Sequence, residues 1–171
     1  MDFQSVSCFP RLNSERLELW IWYAEKIPPH IGCSVAGKYF SLKSNGRDHE
    51  LPVAKVARIV SEKKIPFLLI SVNIFFDLED ISDMYRKYEC ATELGPTCLS
   101  PILDLLEVPD HIRKLKDLIG YLEGTDGIKH IFGYNLPVGF TGIADYSEHE
   151  IRERLRKLEN AKRKESIPSI R

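Results

Sequence analysis

Apolar residues in this chain fall into short runs separated by proline, glycine and charged turns, and the spacing within each run predicts its element. Leu17-Glu18-Leu19-Trp20-Ile21-Trp22-Tyr23 is rich in strand formers and reads as a strand, or as a short helix ending before Ile27-Pro28-Pro29. Residues 30–35 and 39–43 flank a turn at Ala36-Gly37-Lys38, the pattern of a β-hairpin. Asn45-Gly46 closes the second strand and leaves 45–50 as a polar turn. Apolar positions 53, 56, 57 and 60 share one helical face, with Pro52 suited to the first turn and Lys63-Lys64 to the last. Residues 66–74 form a nearly continuous apolar run of strand length, hence a buried strand. Helical character returns over 77–89 and again over 111–123, where Asp110 is placed to cap the helix. From Gly124 to Ala144 no period is clear, which predicts loops with short strands. Ser147-Glu148-His149-Glu150 has the form of a capping box opening a charged helix to about residue 164, and 166–171 reads as a frayed end.

With 171 residues, 43% hydrophobic and 29% charged, the chain has the composition of one ordinary globular domain. Residues 1–146 are expected to form a single α+β domain and 147–171 a charged C-terminal helix and tail. A net charge of −1 argues against bulk attraction to nucleic acid or to an anionic membrane. Eight Lys or Arg stand against three Glu from Ile151 to Arg171. There the alternation with Leu155 and Leu158 predicts a solvated helix docking through a narrow stripe. Four cysteines, Cys8, Cys33, Cys90 and Cys98, make no dense disulfide framework. No basic stretch followed by a long apolar run opens the chain, and no run approaches the ~20 residues of a membrane helix, so the expectation is cytoplasmic.

The densest chemical signal is Gly95-Pro96-Thr97-Cys98-Leu99-Ser100-Pro101, which reads as a turn delivering a cysteine to the first turn of an apolar helix, capped by Thr97. Unpaired N–H groups there favour the thiolate, as at many cysteine nucleophiles. The competing reading is a small hydrophobe packing a helix end. A nucleophile needs a base. His149 and His111 fall on solvated helical turns, His49 in the polar turn, and His130 in a strand-like stretch without a visible partner. His30 begins a strand directly after Pro28-Pro29, which fixes where its ring emerges. Imidazole at such a position accepts the thiol proton and later returns it to the leaving group.

His30-Ile31-Gly32 followed by Gly37-Lys38-Tyr39 resembles the "His-hydrophobic-Gly…Gly-x-Tyr" hairpin of the permuted NlpC-type papain-like proteins, a group that includes the lecithin:retinol acyltransferase relatives and small phage and bacterial members. Leu51-Pro52, the 67–74 strand, the 80–88 helix and Thr97-Cys98 follow in that group's order, so the resemblance spans about residues 17–122. It implies an α+β fold, a small antiparallel sheet with packed helices in permuted papain-like order. It also implies a thiol-dependent hydrolase or acyltransferase with Cys98 as nucleophile and His30 as base, acting on a peptide or lipid-like substrate without a cofactor. A third polar residue of the second hairpin strand would orient the histidine. Ser41, Lys43 and Asn45 are the positions available, with His49 beyond, and Ser41 is nearest in register. None is a carboxylate, which leaves a second expectation: a catalytically inactive scaffold serving as an interaction, inhibitor or immunity-type module. Tyr134, Phe132 and Phe140 would then offer its partner a contact surface. His30-x2-Cys33 and Cys90-x7-Cys98 supply the four ligands of a structural zinc, but residues three apart on a strand face opposite ways.

Overall fold

The computed structural model describes residues 3–5 and 15–165. Cys8 and the 166–171 segment lie outside the described residues. The elements run β1 (Gln4–Ser5), β2 (Arg16–Trp22), β3 (His30–Val35), β4 (Lys38–Lys43), β5 (Gly46–Pro52), α1 (Val53–Glu62), β6 (Phe67–Phe75), α2 (Leu78–Arg86), α3 (Ser100–Leu105), α4 (Leu115–Gly124), β7 (Ile128–Tyr134) and α5 (Glu148–Glu165). The seven described strands form one sheet in the order β1-β7-β6-β2-β3-β4-β5.

The fold is α+β, but its sheet is neither small nor wholly antiparallel. Strand β1 runs parallel to β7, whereas the other five pairings are antiparallel. One segment read as a turn and one read as loops with short strands account for the extra width. Residues 46–52 form β5 instead of a polar turn, because Lys43 pairs with Gly46, Leu42 with Arg47 and Ser41 with Asp48 across a two-residue connection. Inside the 124–144 stretch, Ile128–Tyr134 pairs along β6, with Phe67 opposite Tyr134 and Ile70 opposite Ile131.

Alternation along β2 divides the core in two. Leu17, Leu19 and Ile21 join Ile31, Cys33, Phe40 and Leu42 on one face, where α2, α3 and α4 bring Ile81, Tyr85, Ile102, Leu115, Leu118 and Leu122. Trp20 turns to the other face and packs with Tyr39, Phe67 and Leu69 under Val53, Val56, Ala57 and Val60 of α1. Each such side chain withdrawn from water contributes about 1.5–3 kcal/mol, so both layers hold the sheet.

Two features of the β3–β4 hairpin explain its glycines. Ala36 and Gly37 take φ of 47° and 74°, the left-handed turn that matches the twist of the flanking strands. At Gly32 a Cβ atom would come within 2.6 Å of the Phe40 carbonyl and would collide with the Tyr39 hydroxyl, so the Tyr39 ring crosses β3 only because that position carries no side chain.

One of the helices differs from expectation at its start, and another agrees with it. α4 begins at Leu115 after Lys114, not at 111, and Ile112 is buried ahead of it. α5 opens as its capping box requires: Ser147 Oγ accepts from Glu150 N–H at 3.3 Å while Glu150 Oε2 accepts from Ser147 N–H at 2.8 Å. It then docks on the domain through Leu155, which is buried, while Arg152 donates to the carbonyls of Thr92, Glu93 and Gly95. Glu159 Oε1 accepts the Glu93 N–H at 2.6 Å, and Lys162 reaches the Ser44 carbonyl.

Candidate functional site

One end of the sheet opens into a cleft of about 1080 Å³. Its floor is the mouth of three strands: Trp22 ending β2, His30 and Ile31 beginning β3, and Leu42 and Lys43 ending β4. The loop carrying Ile27, Pro28 and Pro29 forms one side, Thr97-Cys98-Leu99 another, and Ile151, Leu155 and Leu158 of α5 a third. Because the cleft lies over strand ends, it collects residues from both faces of the sheet.

Cys98 sits in the turn before α3, since the helix begins at Ser100 with Leu99 at its cap. The Thr97 side chain does not cap that helix. Its Oγ1 accepts the Leu99 N–H at 3.3 Å, while Thr97 N–H donates to Ser100 Oγ at 2.9 Å, which tightens the turn that presents the thiol. Pro101 stands in the first helical turn, where its missing N–H costs nothing. The backbone N–H groups of Ile31, Leu99 and Cys98 itself act to favour the thiolate. Burial outweighs them, and the thiol is held above its ordinary range. A cysteine favoured as thiolate by a helix terminus is therefore not what the resting structure contains.

His30 pairs with Trp22 across β2–β3. Burial pushes its imidazole down to about 4, the negative charge of Asp48 opposes that shift, and Lys43 adds to it. The ring is thus neutral at physiological pH, the state a general base requires. By alternation His30 belongs to the Trp20 face, whereas Cys98 packs against the opposite apolar layer. Both line the cleft at the end of β3, and among the described residues no direct hydrogen bond joins them.

Ser41 does not line the cleft. It is fully buried, opposite Gly32 on one side and Asp48 on the other, and its hydroxyl donates to Asp48 Oδ2 at 2.8 Å. Asp48 also takes Lys43 Nζ on Oδ1 at 2.5 Å. This carboxylate was missed in the sequence because 45–50 reads as a turn. The two-residue hairpin at Ser44-Asn45 is the signal that places Asp48 opposite Ser41.

The remaining expected site residues disperse. His49 Nε2 lies 3.1 Å from Ser82 Oγ, which donates to Glu50 at 2.7 Å, away from the cleft. His111, His130 and His149 are exposed. Cys33 is buried with its sulfur 3.5 Å from the Tyr85 hydroxyl, and among the described residues no group of three or more His, Cys, Asp or Glu is placed to hold a metal. Phe132 and Tyr134, both half-buried, pack against the α1 layer, and half-buried Phe140 meets Phe3 edge-on at 5.6 Å. No helix among the described residues is long and apolar enough to cross a membrane. No known protein family, curated protein or solved structure matches the chain.

Proposed function

We propose that the protein is a thiol-dependent hydrolase or acyltransferase, with Cys98 as nucleophile and His30 as base, on a scaffold in permuted papain-like order. The observation that carries this reading is that His30, at the mouth of β3, and Cys98, in the turn before α3, line one cleft. A peptide or lipid-like acyl compound is its substrate. As the sulfur attacks the carbonyl carbon, its proton passes to the His30 ring and a C–S bond forms. The C–N or C–O bond then breaks, and the leaving group takes the proton back from His30. Water releases the acid from the thioester in a hydrolase; an acceptor alcohol or amine takes the acyl group in a transferase. The Cys98 N–H stabilises the oxyanion.

Because burial raises the Cys98 thiol, the resting couple is neutral and the proton moves only during attack. Acetylation by p-nitrophenyl acetate, followed by mass spectrometry of the full chain, tests this. Wild type acquires an acetyl group on Cys98, and His30→Ala acquires it about 10²–10⁴-fold more slowly at neutral pH. Equal rates in the two proteins overturn the reading. The raised thiol and the missing Cys98–His30 hydrogen bond favour the second reading, a catalytically inactive scaffold for a protein partner. A Cys98→Ala/His30→Ala double variant with full biological activity decides for it.

A further inference from the structure

We propose that Asp48 is the positioning residue for His30, acting on the ring by its charge from the same sheet face, two strands away, and held in place by Ser41 and Lys43. The inference rests on the thiol-enzyme reading for its purpose, but its geometry stands independently.

Strand register puts the groups in one patch. Gly32 lies opposite Ser41 and Ser41 opposite Asp48, so all three share a sheet face, and His30 lies two residues from Gly32 on that face. Continuing the same register brings Lys43, not a carboxylate or amide, directly beside His30. A lysine there opposes protonation of the ring, the reverse of what a base must undergo in catalysis. Asp48 removes that conflict. One oxygen takes Lys43 Nζ at 2.5 Å and the other takes Ser41 Oγ at 2.8 Å, which fixes the carboxylate plane and leaves a lone pair on each oxygen. Its charge acts on His30 in the direction that stabilises imidazolium, against burial and Lys43. Ser41, the nearest side chain in register to serve as orienter, is thereby the group that aims Asp48.

The other titratable side chains on the cleft stand on different elements: Tyr23 and Lys26 on the β2–β3 loop, Cys98 in the turn before α3, Tyr146 just ahead of α5, and Glu150, Glu153, Arg154 and Lys157 on α5. Glu150 is engaged by Ser147, and Glu153 by Lys157 at 2.8 Å. Asp48 is the carboxylate on the patch of His30 itself.

Nitrogen-15 NMR of the His30 ring in the full chain tests the proposal without relying on turnover. At neutral pH a nearby carboxylate selects the tautomer whose N–H faces it, so wild type shows one ring tautomer and Asp48→Asn a mixture. Lys43→Met leaves the carboxylate uncompensated and raises the His30 titration by about one pH unit, and the added Asp48→Asn change reverses that rise. Asp48→Glu retains the single tautomer. Unchanged tautomer and titration across these variants overturn the proposal, even if Cys98 proves to be a nucleophile. If Asp48→Asn does not fold, Asp48→Glu and Lys43→Met still decide. Conversely, the expected shifts in a protein whose acetylation ignores His30→Ala would retain the electrostatic link and remove the enzyme.

Discussion

Two polar clusters stand on the same face of the sheet, at opposite ends of β2 and β3. At one end Glu18 is buried beside Ser34, whose hydroxyl donates to Glu18 Oε2 at 3.4 Å and accepts from Trp20 Nε1 at 2.8 Å. At the other end His30 looks into the cleft with Ser41, Lys43 and Asp48 behind it. Between them lies an aromatic block in which Trp20 stacks on Phe67 at 5.6 Å and meets Tyr39 edge-on at 5.5 Å. The sealed cluster answers a buried acid with a proton: burial pushes the Glu18 carboxyl up to about 7. The open cluster answers a part-buried acid with a lysine. A proton-neutralised acid makes stability depend on pH, whereas a cation-neutralised one carries a fixed field that a neighbouring ring can use.

Breaking the partition between the clusters has the largest effect. Trp20→Ala opens a cavity between sheet and α1 and costs about 3–5 kcal/mol in urea or guanidinium unfolding. A loss under about 1 kcal/mol would mean that α1 is not held through this block. The pH contrast comes next. Glu18 has its folded value raised from 4.5 to about 7, so its contribution to stability is full below 4.5 and is lost as pH rises through about 7. The whole span amounts to about 3 kcal/mol. Glu18→Gln removes it, leaving the variant more stable than wild type at pH about 8.5 and similar at about 4.5. Parallel stability curves for the two proteins would show that Glu18 is not desolvated. The smallest change sharpens the other end. Ser41→Ala deprives a part-buried carboxylate of one donor and costs about 1–2 kcal/mol, with a smaller change in His30 tautomer than Asp48→Asn. An effect on the tautomer larger than that of Asp48→Asn would make Ser41 the orienter.

Much of this contrast was legible in residues with strong local rules. The strand at 17–22, the 30–43 hairpin, the α1 stripe and the Ser147–Glu150 box follow from alternation, turn chemistry and helical spacing. What was not legible depended on partners distant in sequence. Arg47, Asp48, His49 and Glu50 are four polar residues in a row, and only pairing with β4 makes them a strand. Thr97 has the chemistry of a cap, yet its hydroxyl is spent inside the turn and the helix starts later. Cys98 carries the local signature of a lowered thiol, and burial, which no window of sequence reports, reverses the sign. Asp48 escaped notice for the same reason as β5.

The clamp of Arg152 on the carbonyls of Thr92, Glu93 and Gly95 has a consequence in the order of synthesis. Fifty-seven residues separate Arg152 from Gly95, which at roughly 5–20 residues per second is several seconds of translation. For nearly all of that interval a nascent chain already contains His30, Asp48, Cys98 and strands β1 to β6, and β7 follows before α5 is made. The loop that presents the sulfur still has three carbonyls awaiting their donor, and the cleft lacks the wall of Ile151, Leu155 and Leu158. Until α5 arrives, the cleft that holds the thiol is open on the side that Ile151, Leu155 and Leu158 later close.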